Sequence, residues 1–475
     1  MNLTLRALLC GILLFSFCAN AASRKGQPNI VLILADDLGW ADLGCYGNTF
    51  NETPNIDRLA GQGMRFTDFY AAAAVCSPTR ASIMAGQSPA RLGMTAHIPG
   101  HWRPFEKLVE PPNALHLPTN TISVAQRLRD AGYKTGYFGK WHLGGKDFGP
   151  ERFGFETVFE FTGHEISATR QQPRGTTSKR ACAYLGELAD RFIEQNHGEP
   201  FFLQISPYAV HIPLTTTPEL QKKYEQKPTA PGYSCHPTYA GLLEELDSMV
   251  GAVRNSLERA GLIENTLFIF TSENGGLERE VGGWPGTMNR PLRDEKGSLY
   301  EGGIRVPLIV RWPGTVKAGS SNSVPTITTD FYPTFLDAAK IPETKNQSLD
   351  GTSLLSVLKN PSAKLKRENL FWHYPHYHHS RPAGAIRSGD WKLIEFFDSG
   401  ELELYNLRHD ISEAQNLATH NPRKKTELQT ALAQWRHSVN AQMPQANPAY
   451  NPERANEWWS RAKLERTEAP GTPRK

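Results

Sequence analysis

Residues 29–35, Asn-Ile-Val-Leu-Ile-Leu-Ala, are continuously apolar after the leading Asn and stop at Asp36-Asp37. A strand with one wet face alternates polar and apolar residues. A strand apolar throughout is covered on both faces, the situation of a parallel sheet sandwiched by helices. Two further runs share the pattern: 200–206, which delivers His211, and 265–272, which ends in Glu273-Asn274. Helical patterns lie between them at 53–60, 121–131 and 239–260, the last with Leu242, Leu243, Leu246, Met249, Val250, Val253 and Leu257 on one face. The expected fold class is therefore α/β, a large mostly parallel sheet flanked by helices.

Beyond about residue 364 the strands shorten, at 384–387, 391–397 and 402–405, with turns Ser388-Gly389-Asp390 and Asp398-Ser399-Gly400 between them and a helix over 422–441. This pattern predicts a small α+β subdomain with an antiparallel sheet. Residues 1–22 carry Arg6, an apolar run over 7–17 and the end Ala19-Asn20-Ala21, the pattern of a secretory signal cut after Ala21. The run is shorter than the roughly 20 residues a bilayer requires. The reading is a signal peptide over 1–21, a catalytic domain over 22–363 and a C-terminal subdomain over 364–475. The polar tail from 447 would wrap the surface or stay disordered. The mature protein is expected to be secreted or periplasmic, with no membrane span. A net charge of +4 on 475 residues gives no reason to expect a nucleic-acid partner.

Chemistry concentrates where these strands end, as in open α/β sheets. Adjacent carboxylates at Asp36 and Asp37 in a dry site call for a cation, although a solvated turn would use the same residues. In Cys76-Ser77-Pro78-Thr79-Arg80 a helix is predicted to start beside Pro78. Cys76 then sits at the helix mouth and Arg80 one turn further on, which reads either as a nucleophile beside an anion clamp or as a buried cysteine before an ordinary helix. In Gly139-Lys140-Trp141-His142-Leu143-Gly144, Lys140 and His142 point the same way if the chain stays extended. The loop containing His97, His101, Trp102 and Arg103 combines groups suited to sugar stacking and anion recognition, which equally suit ordinary loop packing, and the segment 373–379 with His373 and His376 reads as a substrate-facing or structural loop. Segment 373–379 lacks the spaced Cys or acid ligands of a local zinc site. Glu301 and Arg305 read as a structural ion pair.

The Cys-x-Pro-x-Arg pattern at 76–80 resembles that of the type I, formylglycine-dependent sulfatases of the alkaline phosphatase superfamily. Residues 139–144 match the family's Gly-Lys-Trp-His-Leu-Gly segment residue for residue, and 296–307 match closely. Glu273 stands where the family usually has Asp. The resemblance implies an alkaline phosphatase-like fold and a Cys76 oxidised by a formylglycine-generating maturation enzyme, the aldehyde hydrate being the nucleophile. It implies Ca²⁺ bound by Asp36, Asp37, the residue at 76, Glu273 and Asn274. Lys140, His211 and Lys296 would hold sulfate oxygens, and Arg80 and His142 the formylglycine hydroxyls. The expected substrate is a sulfated carbohydrate, because the loops at 97–104 and 373–379 look similar to those of carbohydrate sulfatases. Two alternatives stay open: a phosphonate or phosphate ester hydrolase with the same nucleophile site, and a noncatalytic glycan-binding homologue.

Overall fold

The computed structural model describes residues 26–166, 179–281, 284–343 and 347–460. The expected signal peptide over 1–21 and the last residues of the tail lie outside the described residues. Eight strands form the main sheet: β1 (Asn29–Ala35), β2 (Met64–Phe66), β3 (Lys134–Gly139), β4 (Thr157–Glu160), β5 (Phe201–Ser206), β6 (Thr266–Ser272), β7 (Leu308–Arg311) and β8 (Ser320–Asn322), in the spatial order β8-β2-β7-β6-β1-β5-β3-β4. The sheet is mixed. Strand β7 runs against both neighbours, and the other pairings are parallel.

Strand β1 is central and buried along its whole length. Its alternate residues enter two cores: Ile30, Leu32 and Leu34 on one face, Val31, Ile33 and Ala35 on the other. Helices α2 (Cys76–Ala85), α3 (Val124–Asp130) and α6 (Phe331–Ala338) cover the first face. Helices α1 (Pro54–Gly61), α4 (Ala181–Gln195) and α5 (Pro237–Arg259) cover the second, and every residue of the α5 apolar stripe lies in that core. Helix α4 went unanticipated in the sequence; its Cys182, Leu185, Ala189, Phe192 and Ile193 form a stripe of the same kind. The start of α1 is held from a distance. The hydroxyl of Thr53 accepts from the Gly44 amide, and Asp247 of α5 accepts from the amides of Asn55 (3.2 Å) and Ile56 (2.8 Å).

Strands β9 (Asn369–Tyr374), β10 (Ala383–Ser388), β11 (Trp391–Phe396) and β12 (Leu402–Asn406) form a separate antiparallel sheet, backed by α7 (Pro422–Ser438). His373, expected in a loop, is on strand β9. A buried ion cluster joins this sheet to the larger one. Lys392 of β11 lies 2.8 Å from both Glu301 and Glu413, and Glu301 also meets Arg305 at 3.1 Å. The tail wraps back: Gln445–Ala446 pairs with Leu108–Val109, and Trp459–Ser460 with His101–Trp102. Among the described residues no helix is long and apolar enough to cross a membrane.

Candidate active site

Strands β1 and β6 pair in parallel with Asn29 opposite Thr266 and Ala35 opposite Ser272. They end level, so Asp36-Asp37 and Glu273-Asn274 leave the sheet side by side, and the Glu273 amide donates to the Ala35 carbonyl. On the other side of β1, strands β5 and β3 also end together, at Ser206 and Gly139. From there the chain leads to His211 and to Lys140, whose amide donates to the Ser206 carbonyl. Helix α2 begins at Cys76 itself, two residues before Pro78, and all ten of its residues are buried. The first turn of α2 thus meets the ends of four strands.

Three carboxylates and three cations pack around Cys76. Lys140 Nζ lies 2.6 Å from Asp36, and Lys296 Nζ 2.7 Å from Asp37. Arg80 Nε pairs with Glu273, and a further Arg80 nitrogen lies 3.9 Å from Asp36. Asn274 Nδ2 donates to Asp37 at 2.8 Å, His211 Nε2 stands 3.6 Å from the same carboxylate, and Cys76 Sγ is 4.0 Å from Asp36. Burial pushes the Asp36 and Asp37 carboxyls up, but Lys140 and His211 outweigh it at Asp36, and Lys296 and His211 at Asp37, leaving both below the usual carboxylate range. Glu273 comes out the other way. Burial raises it to about 8, against the pull of Arg80. The Cys76 thiol is pushed up to about 12 by burial, and His142 is held down at about 3 by burial and then by Lys140.

These groups form one wall of a cavity of about 690 Å³, which Cys76, Lys140, His142, His211 and Lys296 all line. His142 has φ +58°, so the chain at 140–142 is not extended as expected. Lys140 turns to Asp36 and His142 Nε2 to the Ile98 carbonyl, yet both reach the cavity. Of the residues expected to bind substrate, His97 and His101 line the cavity and four others are engaged elsewhere. Trp102 pairs with Trp459 in the tail, and Arg103 donates to the His378 carbonyl and stacks on Trp458. His373 is buried against the Gln442 carbonyl, and His376 is buried between Thr95 and Glu110. In their place the segment contributes His378 and His379, which were not singled out in the sequence. Tyr208 and Glu160 also line the cavity; they lie at the ends of β5 and β4, where the strand-end rule could have found them.

A family model described as Sulfatase matches residues 28–341. The chain belongs to the sulfatase family. It is a sulfuric ester hydrolase, and a second model, N-sulphoglucosamine sulphohydrolase C-terminal, matches residues 294–441 of this sulfatase. A sulfatase of Formosa agariphila is 32% identical, covering 92% of this chain and 94% of its own. Human arylsulfatase A is also 32% identical, covering 86% and 83%. The crystal structure of Ps i-CgsB in complex with k-i-k-neocarrahexaose superposes with a TM-score of 0.75 at 28% identity, covering 89% of this chain and 94% of that one.

The residues of this sulfatase suit a hard divalent cation. Asp36, Asp37, Cys76 and His211 offer ligand atoms within 4.8 Å of one another. Oδ1 of Asn274 is buried without a hydrogen-bond partner, and the buried Glu273 carboxylate meets Arg80 on one oxygen and has Lys140 3.8 Å from the other. Three carboxylates and an amide oxygen are the donor types that Ca²⁺ and Mg²⁺ take, and the longer Glu273 favours the more permissive Ca²⁺.

Proposed function

We propose that this sulfatase removes sulfate from a carbohydrate, using formylglycine made from Cys76 by a maturation enzyme, with Ca²⁺ held by Asp36, Asp37, Glu273, Asn274 and residue 76. The observation that carries this reading is the balanced set of three buried cations and three buried carboxylates around one buried cysteine on a cavity wall. A thiol held near 12 is a poor nucleophile at neutral pH, so the cysteine itself does not serve. Formylglycine would supply a hydrated aldehyde as the nucleophile toward sulfur, and Ca²⁺ would supply positive charge at the sulfuryl oxygens.

The protein's own groups do the rest. With a dication added to an internally neutral set, the wall is positive toward a sulfate ester. Lys140 and Lys296 hold sulfuryl oxygens, and Arg80 holds the group at position 76. His142, kept neutral by burial, accepts a hydrogen bond from that group. His211, on the cavity side of Asp37, gives a proton to the departing alkoxide. A cavity of about 690 Å³ is of the size that encloses a drug-sized ligand, more than a sulfate alone. The carbohydrate assignment is supported by the imidazoles on its wall and by the oligosaccharide bound to Ps i-CgsB. The residue pattern at 1–21 supports export to the periplasm or medium.

The test uses protein exported by its native host. The mass of the peptide carrying Cys76 should fall by about 18 Da, as exchange of thiol for aldehyde requires. The same protein should release sulfate from an aryl sulfate faster than phosphate from the matched aryl phosphate, and then from sulfated oligosaccharides. Unmodified Cys76 removes the formylglycine mechanism, preference for phosphate favours the phosphoesterase reading, and sugar binding without turnover of any ester favours a noncatalytic protein.

A further inference from the structure

Apart from the carboxylate cluster, three imidazoles converge on the cavity. His97 and His101 come from the loop after α2, and His378 from the segment after β9. Their ring centroids lie 4.7, 5.3 and 5.5 Å apart, and one ligand nitrogen of each falls within 4.8 Å of the other two. Nδ1 of His97 and Nδ1 of His378 are buried with no hydrogen-bond partner. Buried polar atoms left unmatched are costly, so a ligand that pairs them is favoured. We propose that His97, His101 and His378 form a second metal centre on the cavity wall, for a divalent transition metal of the Zn²⁺ type.

The donor set selects the metal. Three imidazole nitrogens suit zinc and its neighbours, whereas the oxygen-rich cluster around Asp36 suits Ca²⁺. Burial, and then the charges of neighbouring histidines, hold His97 and His378 well below the ordinary histidine range, so both present neutral rings at physiological pH. The surroundings fix the ligands in place. Arg103 Nη2 donates to the His378 carbonyl at 3.0 Å, and the Trp458 ring packs 4.8 Å from His101 and 5.8 Å from His378, brought there by the pairing of Trp459 with Trp102. Three protein ligands leave a fourth tetrahedral position, and all three histidines line the cavity, so water or an anionic group of a bound sugar can complete the site. The nearby Lys296 repels a cation and lowers the affinity below that of the same three ligands without it.

Full-length protein is stripped with chelator, held in excess Ca²⁺ at neutral pH, and titrated with Zn²⁺ by calorimetry and with Co²⁺ by visible absorption. The expected result is one Zn²⁺ per chain and the intense Co²⁺ absorption of a four-coordinate site. His101→Ala, at an exposed position, should weaken Zn²⁺ binding at least 100-fold with an unchanged melting curve, and His378→Ala should do the same if it folds. Asp37→Asn should retain Zn²⁺ binding. Absence of saturable Zn²⁺ binding in excess Ca²⁺, or binding unaffected by His101→Ala, overturns the proposal. The readout is metal occupancy, so its failure is distinguishable from a failure of sulfate release.

Discussion

Alkylation of Cys76, in protein made without formylglycine maturation, should be slower than that of an ordinary thiol by about three orders of magnitude. Only the thiolate reacts with iodoacetamide. With the Cys76 thiol pushed up to about 12 by burial, about 1 in 10⁵ molecules carries a thiolate at pH 7. A free cysteine at about 8.5 carries a few per cent, so the ratio is about 3,000. Burial of the sulfur also hinders approach of the reagent, which acts in the same direction. The pH dependence separates the two effects: a thiol titrating near 12 gains about tenfold in rate per pH unit through pH 10, whereas a merely shielded thiol of ordinary acidity levels off above about 8.5. The assay is pulsed alkylation in calcium-free buffer, followed by quantitative mass spectrometry of the Cys76 peptide, with denatured protein as the reference thiol. A native rate within tenfold of the denatured reference at pH 7, or a plateau above pH 8.5, would refute the reasoning and return Cys76 to consideration as a thiol nucleophile.

Ca²⁺ affinity measured by calorimetry should rise about tenfold from pH 6 to 7 and flatten above pH 8, because Glu273, raised to about 8 by burial, must lose its proton to act as a ligand; Glu273→Gln should abolish the slope. Lys296→Ala should lower kcat/KM for an aryl sulfate by at least about 100-fold if Lys296, on the cavity wall, holds the sulfuryl oxygens as proposed. Lys392→Met leaves Glu301 and Glu413 buried without the lysine between them, and should cost about 3–5 kcal/mol in thermal unfolding. Glu413 is raised to about 7 by burial against Lys392, so its protonated form stabilises the fold below the unfolded value and that stabilisation is lost as pH rises through about 7. Glu413→Gln should therefore flatten the fall in melting temperature between pH 5 and 7.5.

The parts of the site that could be read from the sequence are those fixed by strand ends. The runs ending at Ala35 and Ser272 announce themselves by their apolar stretches, 30–35 and 267–270, and parallel pairing puts polar residues at their C-terminal ends on one edge of the sheet. Their level register is not visible in the sequence, because the two strands are separated by more than 200 residues and each reads the same whichever partner it takes. Helix α4 was legible but overlooked: Cys182, Leu185, Ala189, Phe192 and Ile193 recur at helical spacing, with Glu187 and Arg191 on the outer face. Strand β7 is as apolar as its neighbours, so its reversed direction cannot be inferred from composition.

The histidines mark the limit of such reading. His373, His376, His378 and His379 sit within seven residues and share the same chemistry, but their roles are set by contacts with distant segments. His376 is fixed by Thr95 and Glu110, and His373 by the Gln442 carbonyl, while His378 and His379 are left facing the cavity. A local cluster without acids or cysteines argues against a metal site, and that inference is sound for the segment alone. It fails to anticipate a site assembled from two loops, in which His378 joins His97 and His101 across some 280 positions of chain. Where a site hangs on sheet ends, the periodicity of the sequence points to it. Where it hangs on loops, the tertiary fold decides which of several equivalent side chains is used.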